Sequence, residues 1–251
     1  MSGHSKWATT KHKKGALDKA RGKLFAKLIR QVEVAAREGG GDIEGNPTLR
    51  TMFQKARDAS VPMDTIERAI KRGTGELEGV RYEAVTYEGY APCGVAVIIE
   101  CLTDNRNRTG ADIRAIFSKN GGSMAEPGAV AWQFERKGVV MVNHGPKVDE
   151  DELTLVAADA GADDVRDNGD TWEVLTPPAE LGAVRAAIEA HGWPASSSEL
   201  TMQASQSVPI SSEGDARRVL RLIDLLDDHD DVQNVYANFD IPDSVMELVE
   251  V

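Results

Sequence analysis

Cysteine is nearly absent. Cys93 and Cys101 are the whole supply in 251 residues, too few for a disulfide framework and without zinc-ligand spacing. Both read as reduced core thiols of a cytoplasmic protein. No apolar run approaches the roughly twenty residues that span a bilayer, so no membrane association is expected. The opening Met1-Ser2-Gly3-His4-Ser5-Lys6-Trp7 is polar and runs on into lysines, which is not the pattern of a secretory leader. A mitochondrial presequence would be Arg-rich and amphipathic, whereas this start is Lys-rich and broken by glycine. Catalytic signatures are missing too: there is no GxGxxG after a strand, no P-loop, no HExxH and no GxSxG. His4, His12, His144, His191 and His229 fall in different elements. No catalytic residue, metal or cofactor is therefore expected.

Acidic residues are scarce in one place only. The first thirty residues hold nine basic side chains, Lys6, Lys11, Lys13, Lys14, Lys19, Arg21, Lys23, Lys27 and Arg30, against the single Asp18. That stretch sums to +8 in a chain of net charge −12, so the remainder carries −20. Such polarity reports on association rather than on fold, and it suits a partner of dense negative charge. A nucleic acid is the obvious polyanion, because its phosphates release counterions when lysines neutralise them. A solvated basic tail is the plainer alternative. Trp7, set among Lys6, Lys11, Lys13 and Lys14, is placed either to stack on a nucleobase or to staple the tail to the body. His4 and His12 read as solvent-exposed or phosphate-facing imidazoles.

A hydrophobic fraction of 41% suits a folded protein, and 251 residues suit two or three domains. Leu24, Phe25, Leu28, Ile29, Val32 and Ala35 recur at helical spacing, predicting a helix from Leu17 towards Arg37 that Gly39-Gly40-Gly41 ends. Asn46-Pro47 reads as a cap opening a second helix, and Val61-Pro62 as the break before a third, which ends near Gly73. Lys23, Lys27 and Arg30 share one side of the first helix. Lys71 and Arg72 either extend that patch or oppose a helix dipole.

Beyond Gly75 the pattern turns mixed. Glu83 to Gly89 and Val95 to Leu102 read as strands, Ile113 to Phe117 as a helix ended by Asn120-Gly121-Gly122, and Ala129 to Glu135 as another strand. Next come a strand at Val139–Val142, a helix at Glu150–Ala160, a strand at Asp164–Arg166, an Asn168-Gly169 turn and a strand at Trp172–Leu175. A helix over Pro177–His191 and a strand over Glu199–Gln203 complete the series. That βαββαβ order is ferredoxin-like. A last helix through Val219 and Leu226 and a strand at Val232–Phe239 cannot stand alone, so they should complete the unit begun near Tyr82. The expected fold is α+β: an N-terminal three-helix module, then two α/β units, the last ferredoxin-like and inserted in the other. The expected domains are 1–78, a discontinuous 79–135 with 206–243, and 136–205.

One loop stands apart, Leu102-Thr103-Asp104-Asn105-Arg106-Asn107-Arg108-Thr109, between an apolar strand and a helix. Arg106 and Arg108 there suit hydrogen-bonded forks to phosphate or base. The alternative is an N-cap, supplied by Asp104 or Thr109, with the arginines paired to nearby carboxylates. Asp227-Asp228-His229-Asp230-Asp231 invites a cation-site reading but is explained more simply as a solvated helix end. The expected nucleic-acid contacts are Lys6, Trp7, Lys11, His12, Lys13, Lys14, Lys19, Arg21, Lys23, Lys27, Arg106 and Arg108.

Several ungapped blocks resemble the YebC/PmpR family: Gly3-His4-Ser5-Lys6-Trp7, Lys11-His12-Lys13-Lys14, Asn46-Pro47-Thr48-Leu49-Arg50, Val61-Pro62-Met63-Asp64, Tyr87-Glu88-Gly89-Tyr90-Ala91-Pro92 and Leu102-Thr103-Asp104-Asn105. They cover most of the first 135 residues; from about Arg136 to Ser205 only the pattern matches. Thr10 and Met124-Ala125-Glu126 depart from the family's usual residues without touching a charge. The resemblance implies a cytoplasmic, non-enzymatic protein of three domains. Members of that family are described as DNA-binding transcriptional regulators or, like the mitochondrial translational activator of cytochrome c oxidase, as ribosome-acting factors that ease difficult peptide stretches. A Lys-dominated, Gly-interrupted arm favours phosphate contact over base reading. The expectation is therefore rRNA and the ribosome, with promoter DNA as the alternative.

Overall fold

The computed structural model describes residues 17–145 and 148–249. The fold is α+β: a helical start followed by two α/β units, the second ferredoxin-like and inserted in the first. Helix α1 (Leu17–Gly39) runs the length its apolar spacing predicts. Asn46 caps α2 (Pro47–Asp58), its side-chain oxygen accepting from the Leu49 N–H. The amide of the same side chain donates to the carbonyls of Ala35 and Gly40 at 2.9 and 2.8 Å, tying the end of α1 to the start of α2. Val61-Pro62 breaks the chain before α3 (Met63–Thr74), as expected.

The first α/β unit holds β1 (Glu83–Tyr90), β2 (Ala96–Thr103), α4 (Arg106–Lys119) and β3 (Ser123–Ala125). The ferredoxin-like series follows as β4 (Phe134–Asn143), α5 (Glu150–Asp159), β5 (Asp164–Asp167), β6 (Thr171–Thr176), α6 (Leu181–Ala190) and β7 (Ala195–Ala204). The chain then returns through β8 (Val208–Pro209), α7 (Glu213–Asp227), β9 (Val232–Ala237), β10 (Phe239–Asp240) and α8 (Asp243–Val249). The insertion is visible in the pairing: β9 lies antiparallel to β2, giving the order β3-β1-β2-β9. The inserted sheet has the order β5-β6-β4-β7, as a split βαβ arrangement requires. Its hairpin turns at Asn168-Gly169, where Gly169 has φ +87°, a conformation glycine adopts at no steric cost.

Two compact units emerge. One gathers the described residues up to Gln31 with Glu78–Glu135 and Gln203–Val251; the other gathers Val32–Leu77 with Arg136–Met202. The first has its core where Val97 and Ile99 of β2 meet Ile113 and Phe117 of α4 and Leu222, Ile223 and Leu226 of α7. The second packs Val140, Val142, Trp172 and Val174 of its sheet on Leu153, Ala157, Val184 and Ile188 of α5 and α6. Burying each such aliphatic side chain contributes about 1.5–3 kcal/mol.

Several expected elements shift. Residues 129–133 are not strand: a 3-10 turn spans Ala131–Gln133 and β4 starts at Phe134. The reason is Glu88, a buried side chain on β1 whose carboxylate accepts from the N–H groups of Gly128, Val130 and Ala131 at 2.6–3.0 Å. Backbone held that way has no donor left for a ladder. Helix α6 starts at Leu181 rather than Pro177, after a turn in which the Glu180 N–H reaches the Pro177 carbonyl. Strands β4 and β7 outrun their expected ends, because neighbouring strands extend the pairing. Cys101 is buried as expected, but Cys93 is exposed. It sits in a tight turn before β2 at φ +65°, outside the apolar layer.

Candidate nucleic-acid interface

The basic stretch of α1 meets the acidic end of α7 within one compact unit. The Lys23 ammonium pairs with the Asp228 carboxylate and donates to the Asp228 carbonyl at 3.1 Å. One turn on, Lys27 donates to the Asp227 carbonyl at 2.7 Å and lies 3.2 Å from its carboxylate. Arg30 donates to the carbonyls of Leu102 and Asp230 at 3.0 and 2.9 Å, lies 3.4 Å from Asp231 Oδ1, and sits over the Tyr82 ring. Lys23 and Lys27 thus occupy the negative end of a helix dipole, where carbonyls lack intrahelical partners, and Arg30 bridges β2 and the turn after α7. Arg21, further towards the start, is exposed and lies 5.3 Å from the centre of the Phe25 ring.

The loop 103–109 adjoins the same place. Asn105 caps α4, its side chain accepting from the Arg108 N–H, so neither Asp104 nor Thr109 is the cap. Thr109 is instead buried one turn into the helix, and its hydroxyl donates to Asp231 Oδ2 at 2.7 Å. The Arg108 guanidinium donates to Asp104 Oδ1 and Asp231 Oδ2, both at 2.8 Å. The pairing alternative therefore holds for Arg108, whereas Arg106 presents its side chain at the exposed first turn. Burial alone would raise the Asp231 carboxyl, but hydrogen bonds from Arg108 and Thr109 and the charges of Arg108 and Arg30 outweigh it and hold it below the usual range. A cleft of about 620 Å³ opens here, lined by Lys23, Arg30, Tyr82, Arg108, Asp112 and His229 among others.

His229 accepts the Asp231 N–H on Nδ1 at 3.2 Å, and its Nε2 lies 3.4 Å from Asp112. Asp227, Asp228 and Asp231 face basic side chains rather than converging on a common point. Among the described residues no group of three His, Cys, Asp or Glu side chains could hold a metal ion.

Of the expected contacts, the structure brings together Lys23, Lys27 and Arg108 and leaves Arg21 and Arg106 exposed. Lys6, Trp7, Lys11, His12, Lys13 and Lys14 lie outside the described residues, as does the side chain of Lys19. Asp231, the centre of the cluster, was not singled out among its neighbours from sequence. The available signal was its place directly before the apolar strand that starts at Val232.

A basic leading segment, a helical start and an inserted ferredoxin-like unit define a charge-segregated α+β protein. Residues 5–76 match the TACO1/YebC protein N-terminal domain, and residues 82–239 match the TACO1/YebC second and third domain. The chain belongs to the TACO1/YebC family. It is 56% identical over 249 residues to a protein of Thermobifida fusca, covering 98% of each chain, and 54% identical over 246 residues to one of Mycolicibacterium smegmatis, covering 98% and 97%. Both are described as a probable transcriptional regulatory protein. The crystal structure of a conserved hypothetical protein from Aquifex aeolicus shares the fold, with TM-score 0.81 and 46% identity over 90% of this chain and 93% of that one. No helix among the described residues is long and apolar enough to cross a membrane.

Proposed function

We propose that the chain is a cytoplasmic, non-catalytic regulator of gene expression that grips the sugar-phosphate backbone of ribosomal RNA, acting as a translation factor that eases difficult peptide synthesis. The contacts would come from Lys6, Trp7, Lys11, His12, Lys13, Lys14, Lys19 and Arg21, with Arg106 from the loop before α4. The observation that carries this reading is the nine basic side chains against one acidic one in the first thirty residues of a chain of net charge −12. A body so acidic would be repelled along a long duplex, whereas a local basic arm holds well to one site on a ribosome.

DNA is the second reading, favoured by the description of the relatives as probable transcriptional regulatory proteins. A helix-turn-helix reader contacts base edges through the start of its second helix. Here the corresponding start, in α3, exposes Met63, Asp64 and Glu67, two of them carboxylates that phosphates repel. On this proposal 1–78, 79–135 with 206–243, and 136–205 act as the domains.

Sedimentation with ribosomes, run beside binding to a random duplex, separates the readings. Ribosome association that falls steeply with salt supports the first, and preferential duplex binding overturns it in favour of the second. Lys11→Glu, Lys13→Glu and Lys14→Glu together should abolish either association while leaving the fold intact. Undiminished binding by that variant sinks both.

A further inference from the structure

The cations of the first thirty residues are not equivalent. Lys27 and Arg30 are largely covered, their side chains 14% and 17% exposed, and Lys27 engages both the carbonyl and the carboxylate of Asp227. To reach a phosphate, Lys27 would have to give up a helix-end carbonyl and a carboxylate at the negative end of α7. Arg30 is more committed still, with three oxygen partners and the face of Tyr82. These contacts join segments two hundred residues apart in sequence, and they hold the stretch of helix that follows directly on the basic arm.

We propose that the acidic end of α7 and the turn after it form a socket that seats the basic stretch of α1, so that Lys23 opposite Asp228, Lys27 opposite Asp227 and Arg30 opposite Asp230 and Asp231 are positioning pairs for nucleic-acid binding rather than contacts. The inference rests on the nucleic-acid reading above and assigns the regulation of that site's geometry. Seating the helix fixes where the chain enters it, so the phosphate-binding lysines start from one defined point and less freedom is lost on binding. The same acidic cluster could serve instead as an internal competitor that phosphates displace; that reading makes the opposite forecast.

The test uses the full chain and a single-stranded RNA oligonucleotide, with affinity measured over a salt series beside thermal melts. Asp227→Asn removes a negative charge, so simple electrostatics and the competitor reading both demand tighter binding. The socket demands weaker binding, about three- to tenfold, equivalent to roughly 0.7–1.4 kcal/mol. Lys27→Met should show the same loss with an unchanged salt slope, because no phosphate contact is removed, and Lys27→Arg should restore affinity. Combining Asp227→Asn with Lys27→Met should cost no more than either alone. Asp228→Asn, whose side chain is 71% exposed, gives a second variant with little threat to folding and a smaller loss in the same direction. Tighter binding by either Asn variant, or a salt slope lowered by about one in Lys27→Met, overturns the socket. Failure of the unaltered protein to bind with any salt dependence overturns the nucleic-acid reading, and the socket with it.

Discussion

Asp231 Oδ2 accepts the hydroxyl of Thr109 at 2.7 Å across 122 positions of sequence. This one bond fastens the first turns of α4 to the connection between α7 and β9, and it lies at the centre of the cluster that Arg30 and Arg108 complete. Asp231→Asn keeps the shape and one acceptor but removes the charge that both guanidiniums face. The expected cost is about 2–3 kcal/mol of stability.

The pH dependence has a definite sign. Asp231 is held below its unfolded value, so its stabilisation is present above about pH 4 and is lost as pH falls through the lowered folded value. Denaturant midpoints taken from pH 6 down to pH 2 should fall steeply for the parent and less steeply for Asp231→Asn. Parallel curves would mean that Asp231 is not the group responsible.

Much of this architecture was legible before the structure, for physical reasons that differ by element. Val95 to Leu102 is buried nearly throughout because β2 is a central strand flanked by β1 and β9, and a run rich in Val and Ile expresses that directly. Asn168-Gly169 announced its hairpin through the backbone conformation it alone tolerates cheaply. The insertion followed from a helix and strand too small to bury themselves. Strands of two or three residues, β3, β8 and β10, were not legible, since their pairing is decided by chain segments far away. The candidate interface was half legible: its charges were plain, but which of them find internal partners depends on carbonyls and carboxylates some two hundred residues away.

Glu88 illustrates the illegible half. Burial would raise its carboxyl, but backbone N–H bonds from Gly128, Val130 and Ala131 outweigh burial and lower it. Glu88→Gln can offer only one acceptor oxygen and brings an amide donor into a nest of donors. The expected loss is about 1–3 kcal/mol. Hydrogen exchange at the Val130 and Ala131 amides should accelerate markedly, and unchanged protection there would remove Glu88 as the anchor of the loop.

The two cysteines should separate cleanly. Burial, followed by the nearby Asp231 charge, pushes the Cys101 thiol up to about 12. At neutral pH a thiol-specific disulfide reagent should label exposed Cys93 in the folded protein and reach Cys101 only on unfolding. The raised folded value also sets a stability window. Its contribution is complete below the unfolded thiol value near 8.5, and drains away as pH climbs from there towards 12. Cys101→Ala should lose stability less steeply than the parent between pH 9 and 11. Rapid labelling of both thiols in the native protein would contradict the packing of β2.

Arg106 and Arg108 lie two residues apart, and the structure gives them different work. The Arg108 guanidinium donates to Asp104 and Asp231, so removing it withdraws a bond from a buried carboxylate. Arg106 is exposed on the first turn of α4, its backbone carbonyl accepting from the Tyr87 hydroxyl at 3.1 Å. Arg108→Ala is therefore expected to lower the melting temperature and leave the salt slope of RNA binding unchanged. Arg106→Ala is expected to leave the melting temperature alone and reduce that slope by about one, the mark of a single lost phosphate contact. The reverse outcome, or an equal slope change from both, would mean that phosphates displace the Asp231 bond and that the loop binds as one piece.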